Sequence, residues 1–173
     1  MISLIRHKLD AEEAFMTVEF PYFMIKSAPV TSMQGQMDYD CKLTGRINSS
    51  GFDLTTEVTV PVTSLCPCSK EISDRGAHNQ RSRVSISVKT HDEPIWADDL
   101  IAIAEESASA PLYSLLKRPD EKFVTEQAYD NPVFVEDLVR AVAGCLKENN
   151  DISWFRVRSV NEESIHNHNA FAE

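Results

Sequence analysis

Two runs of alternating residues, Phe52 to Val60 and Val84 to Val88, stand on either side of a polar stretch from Pro61 to Ser82, PVTSLCPCSKEISDRGAHNQRS. A period of two is the mark of a half-buried strand, so each flank must lay one face against a core. The stretch between them is then a long connection joining two pieces of sheet. Connections of that length inside a compact domain are usually functional or disordered. This one carries Cys66, Cys68 and His78 among Ser69, Lys70, Arg75 and Arg81, which is not a linker composition. Chemistry is expected there.

The remaining segments fit around that pair of strands. Ser3 to Ala14 reads as a weak helix with no N-cap or turn before it. Phe15 to Ile25 reads as a strand, and Pro21 confines it to an edge or a bulge. After a loop from Ala28 to Gly35, Met37 to Ile47 and Phe52 to Val60 flank the turn Asn48-Ser49-Ser50-Gly51, a hairpin signal. A strand follows at Ser82 to Thr90. Trp96 to Ser107 is an amphipathic helix with Asp98 and Asp99 near its positive end. Pro111 to Leu116 reads as a further helical piece, and Lys117 to Asp130 as loop or irregular strand. Asn131-Pro132 reads as an N-cap and first helical position, opening a helix that carries Val135, Leu138, Val139, Val142 and Leu146. Trp154 to Val160 alternates again, and Glu163 to Glu173 is a polar tail. Strands, then helices, then a strand predict an α+β fold with antiparallel pairing.

Charge narrows the partners. With 17 Lys and Arg against 27 Asp and Glu the formal net charge is -10, which opposes indiscriminate binding to nucleic acid. A polyanionic small substrate then needs a local concentration of cations, and Lys70, Arg75, Arg81 and Arg83 supply one. No apolar run reaches the roughly 18 residues that cross a bilayer, so no membrane partner is expected. The opening MISLIRHKLDAEEAF has neither the apolar region nor the cleavage site of a signal peptide. Cys66 and Cys68 are too close to bridge easily, and Cys41 and Cys145 read as small buried hydrophobes. Reduced thiols in a cytoplasmic protein are the expectation.

Thiolate and imidazole are good ligands for zinc and related divalent ions, and a loop can bring Cys66 and His78 together. The same pair also suits a cysteine nucleophile with a histidine base, or a loop with no chemistry at all. Cys-x-Cys is not the Cys-x-x-Cys of structural zinc sites. In the tail, His166 and His168 fall on one side of an extended chain, although a solvated terminus explains them equally. Glu121 sits in a polar segment where exposed carboxylates are ordinary. Glu136 reads as a surface acid near a positive helix end, yet a carboxylate is also a double acceptor, suited to the N1–H and 2-amino donors of guanine.

Three motifs together carry a family resemblance: LCPCSKEIS-x-x-GAHNQRS, then LLKRPDEK-x-VTE-x-AY-x-NP-x-FVED, then ESIHNH. In this order they resemble the type IB GTP cyclohydrolases, from about Asp10, through FPYF and APV, to the C-terminus. The resemblance implies a tunnelling fold, an antiparallel sheet with helices packed on one face, two such units per chain. Residues 1–60 would be the remainder of the first unit, and residues 61–173 the second, with the active-site loop. It also implies homo-oligomers, a tetramer being the expected form, with active sites between subunits. The implied enzyme is a hydrolase acting on cyclic amidine C–N bonds. It converts GTP and water to 7,8-dihydroneopterin triphosphate and formate, the first step toward folate and related pterins. A divalent metal, zinc or manganese, is the implied cofactor. By position, Cys66, His78 and Glu121 match the metal ligands, Cys66, His78 and His166 the catalytic groups, and Glu136 the guanine anchor. Ser69, Lys70, Arg75 and Arg81 are assigned to the triphosphate from their charge and polarity.

One departure from the family pattern concerns the N-terminus. Members carry a substantial preceding segment with a His-x-Ser-Arg stretch and the opening strands of the first unit, so the first unit is expected to be incomplete. A fragment, a misplaced start and a natural short form all agree with that. Two other functions stay open at this point. One is a non-catalytic purine- or pterin-binding subunit or inactive fragment. The other is a thiol-nucleophile enzyme on the same fold, like the nitrile reductases, which predicts a covalent adduct at Cys66.

Overall fold

A computed structural model describes all residues from Met1 to Glu173. A short helix, α1 (Ile2–Lys8), precedes three long strands, β1 (Ala14–Ser27), β2 (Gln34–Asn48) and β3 (Gly51–Leu65). Helix α2 (Pro67–Ile72) lies in the connection to β4 (Asn79–Thr90). Helix α3 (Ala97–Glu106), the two-residue β5 (Ala110–Pro111), α4 (Arg118–Asp130) and α5 (Val135–Glu148) follow. Strands β6 (Ile152–Glu162) and β7 (Ala170–Ala172) close the chain.

All strands join one antiparallel sheet in the order β1-β2-β3-β4-β6-β7, with β5 beside β3 at Val62 and Thr63. Pro21 lies on β1, the outermost strand, where a residue without an N–H is tolerated. At the β2–β3 turn the Ser50 N–H donates to Asn48 Oδ1 at 2.8 Å. Gly51 there has φ +126°, a conformation that L side chains rarely adopt. The expected division at residues 60 and 61 falls inside β3, so both segments contribute to one strand.

Alternation decides which face is buried. Val58, Val60 and Val62 of β3, Val84, Ile86 and Val88 of β4, and Val157 of β6 point to one side. Leu100, Ile101 and Ala104 of α3 and Leu138, Val142 and Leu146 of α5 pack against them as a single core. Each fully buried Leu or Val in such a layer stabilises the fold by about 1.5–3 kcal/mol. Helices on one face of an antiparallel sheet are the α+β arrangement the sequence implies, and it agrees with a tunnelling fold.

Four local expectations are corrected. Lys117 to Asp130 is mostly helix, α4, rather than loop or strand. Only Asp120 and Ala128 of that helix are buried, so it leaves almost no apolar stripe to read in the sequence. Asn131 caps the end of α4 rather than opening the next helix, and α5 begins at Val135 with Phe134 as its N-cap. Ala110–Pro111 pairs with β3, and no helix forms between Pro111 and Leu116. Cys145 is exposed, whereas Cys41 is buried as expected.

Candidate active site

The connection between β3 and β4 is shorter than the alternation suggested, because β3 continues to Leu65 and β4 begins at Asn79. The loop is pinned at its base. The Cys66 N–H donates to the His78 carbonyl at 3.1 Å. The Ser69 hydroxyl donates to the Cys66 carbonyl at 3.0 Å and accepts from the His78 N–H at 3.2 Å. Cys66 also caps α2, its Sγ accepting from the Ser69 N–H at 3.5 Å. Gly76, with φ +129°, lets the chain turn back just before His78.

His78 is held from a second side, since its Nδ1 lies 3.2 Å from the Ser164 hydroxyl in the tail. The tail therefore returns to the loop, anchored by the pairing of β7 with β6. Its two histidines stack, with ring centroids of His166 and His168 5.3 Å apart. One cavity of about 360 Å³ gathers these pieces, a volume within the ordinary range for a small-molecule site. Cys66, Cys68, His78, Glu136 and both tail histidines line it. Glu136 reaches it from the first turn of α5.

The other candidates lie elsewhere. Glu121 is on the exposed surface of α4, where its carboxylate accepts from Arg118 at 2.8 Å, and it does not line the cavity. Lys70 Nζ donates to the Tyr129 carbonyl and sits 4.2 Å from the centre of that residue's ring, so it ties α2 to α4. Ser69 is occupied within the loop. Arg75 is exposed, with no ion-pair partner. Arg81 is out of phase with the buried Gln80 and Ser82, and it lines a different cavity with Tyr39, Pro61, Arg83 and Tyr113.

No three His, Cys, Asp or Glu side chains stand close enough together to hold a metal ion. The donor chemistry of the Cys66 and His78 pair nevertheless suits a divalent ion. Cys66 Sγ receives only one long N–H contact, and the Ser164 contact of His78 at Nδ1 leaves Nε2 for a ligand.

A buried acid beside Glu121 was not picked out from the sequence. Asp120 is fully buried and accepts from the N–H groups of Val30, Thr31 and Lys117, each at 2.9 Å, and from the Thr31 hydroxyl at 2.7 Å. Burial would raise its pKa. The Thr31 hydroxyl and the three N–H donors outweigh that and hold the carboxyl well below the usual range. It locks the β1–β2 loop to the start of α4. Gln80 and Asn161 also line the cavity unforeseen. Gln80 is in phase with Ser82, Val84 and Ile86, and that parity was the available signal.

The sequence profile of the family described as type I GTP cyclohydrolase folE2 matches residues 1–172. The chain belongs to that family. Among relatives called GTP cyclohydrolase FolE2, that of Magnetococcus marinus is 52% identical over 172 residues, 99% of this chain and 64% of its own length. The FolE2 of Nitrosococcus oceani is 53% identical over 172 residues, with the same two coverages. That of Fervidobacterium nodosum is 50% identical over 164 residues, 95% of this chain and 62% of its own. The chain thus spans a little under two thirds of the length of these FolE2 proteins. No helix is long and apolar enough to cross a membrane.

Proposed function

We propose that this chain is a GTP cyclohydrolase, opening the guanine imidazole ring by hydrolysis to give 7,8-dihydroneopterin triphosphate and formate. One observation carries the reading. Cys66, His78, Glu136 and His166, scattered over a hundred positions of sequence, line one cavity. Membership of a family whose relatives are called GTP cyclohydrolases supplies the substrate.

Each residue then has work suited to its chemistry. Glu136 offers two carboxylate oxygens to the N1–H and 2-amino group of guanine, fixing the base. Cys66 and His78 would hold the divalent metal, zinc or manganese; Glu121, the further position the family resemblance implies, lies outside this cavity and is paired with Arg118. A bound divalent ion supplies a water whose pKa is lowered to about 7. His166, lining the same cavity, is the general acid that delivers a proton to the nitrogen released as the ring opens. The Ser164 hydroxyl fixes the orientation of the His78 ring.

For the triphosphate, Arg75 is the loop cation best disposed, being exposed and unpaired. Lys70 and Ser69 act by shaping the loop. Arg81, on the far face of the sheet, meets a triphosphate only at the site of a neighbouring subunit, in keeping with a homo-oligomer whose sites lie between subunits. Formate release from GTP on addition of zinc or manganese to metal-stripped protein tests the reading. A Cys66→Ala variant serves as the control.

A further inference from the structure

The buried face of the sheet changes character row by row. Cys41, Val58, Ile86 and Val157 align across β2, β3, β4 and β6. The next row is Val60, Val84 and Ser159, then Val62, Ser82 and Asn161, and finally Ser64 and Gln80. The core therefore turns polar in the direction of the cavity. Ser82, Asn161 and Ser64 are matched inside the protein, while the Ser159 hydroxyl has no partner but does not line the cavity. The Ser82 hydroxyl donates to Asn161 Oδ1 at 2.6 Å, and the Ser64 hydroxyl to the Val133 carbonyl at 3.1 Å.

Gln80 is not matched. It is only 8% exposed, it lines the cavity, and its Oε1 has no hydrogen-bond partner. A buried acceptor without a donor costs the full desolvation of the group. A sequence that fills the neighbouring positions with Ser and Val could place an apolar residue here at no such cost. We propose that Gln80 is a substrate-contacting residue, its side-chain carbonyl accepting a hydrogen bond from an N–H of the purine base in the cavity. This rests on the reading of the cavity as a GTP site.

The residue type fits that task. Glu136 reaches the cavity from the helical side, as a carboxylate. Gln80 reaches it from β4 as a neutral acceptor, which neither repels a triphosphate nor competes for a cation. A wall built to receive an N–H rejects a base that lacks one, because its own acceptor is then left unpaired.

Equilibrium binding of GTP to the metal-stripped full chain, where no turnover intrudes, tests the proposal with a Gln80→Met variant of nearly the same shape. Inorganic tripolyphosphate is the second probe, and Tm is recorded for both proteins. The expected result is a GTP dissociation constant raised about tenfold or more, an unchanged one for tripolyphosphate, and a Tm that does not fall. GTP bound as tightly by the variant as by wild type overturns the proposal and leaves the GTP reading standing. So does a lowered Tm with both probes weakened equally, which makes Gln80 a structural group. Wild-type protein that binds no GTP overturns both.

Discussion

Cys66 and His78 are fastened to each other before any ligand arrives: the Cys66 N–H meets the His78 carbonyl at 3.1 Å, and the Ser69 hydroxyl bridges the two backbones. The thiol and the imidazole are thus presented from a closed loop base rather than from two independent strand ends. Preorganisation of this kind lowers the ordering cost of binding.

Removing the bridge should show as lost affinity. Ser69→Ala deletes the donor to the Cys66 carbonyl and the acceptor for the His78 N–H. A stability loss of about 1 kcal/mol is expected. Zinc affinity, measured by competition with a chromophoric chelator, should fall about tenfold. Unchanged zinc affinity would mean that the loop geometry does not need the hydroxyl.

The Asp120 clamp predicts an acid-sensitive fold. Its native pKa lies below that of the unfolded chain, so its contribution is fully present above the unfolded value of about 3.9 and is lost as pH falls through the native one. Asp120→Asn turns an amide N–H toward groups that are themselves donors, the Lys117 N–H or the Thr31 hydroxyl. The variant should have a lower Tm at neutral pH, with the gap to wild type narrowing as pH drops below 4. Thermal melts across that range measure it. A constant gap would contradict the assignment.

Lys26 and Glu105 form the most enclosed ion pair, at 2.7 Å, joining β1 to α3. Lys26 also donates to the Leu112 carbonyl, and the Tyr39 hydroxyl donates to Glu105 at 2.9 Å. Burial, with the Glu105 carboxylate beside it, pushes the Tyr39 phenol well above its ordinary pKa, so it remains a donor. Glu105→Ala leaves a half-buried ammonium without its counter-charge and should cost about 1.5–3 kcal/mol in denaturant unfolding. Replacing both partners, Lys26→Met with Glu105→Leu, should cost clearly less.

Leu138 is fully buried and faces the sheet two positions beyond Glu136. Leu138→Ala should destabilise the protein by about 2–5 kcal/mol in urea titration, the range for a cavity in a well-packed core.

The sheet was legible because the strands alternate: Phe52 to Val60 and Val84 to Val88 announce their buried faces by period alone. Helix α5 was legible from Val135, Leu138, Val142 and Leu146, although its start was misplaced by a proline that follows the C-cap of α4. Helix α4 was not, since its docking depends on one buried carboxylate, Asp120, and a polar group held by hydrogen bonds leaves no periodic trace. Within the site, residue types pointed to Cys66, His78 and Glu136. The contacts of Ser69 and Lys70 were not legible, because charge does not reveal that a hydroxyl bonds within its own loop or an ammonium reaches Tyr129. Gln80 needed only its parity with Ser82 and Val84 to be found.

Formate release from GTP, followed together with pterin fluorescence, tests the central claim most directly. Metal-stripped protein should be silent, should turn over when zinc or manganese is restored, and should stay silent as Cys66→Ala under the same addition. GTP bound without formate, or a covalent adduct at Cys66 formed in metal-free protein, would contradict the account.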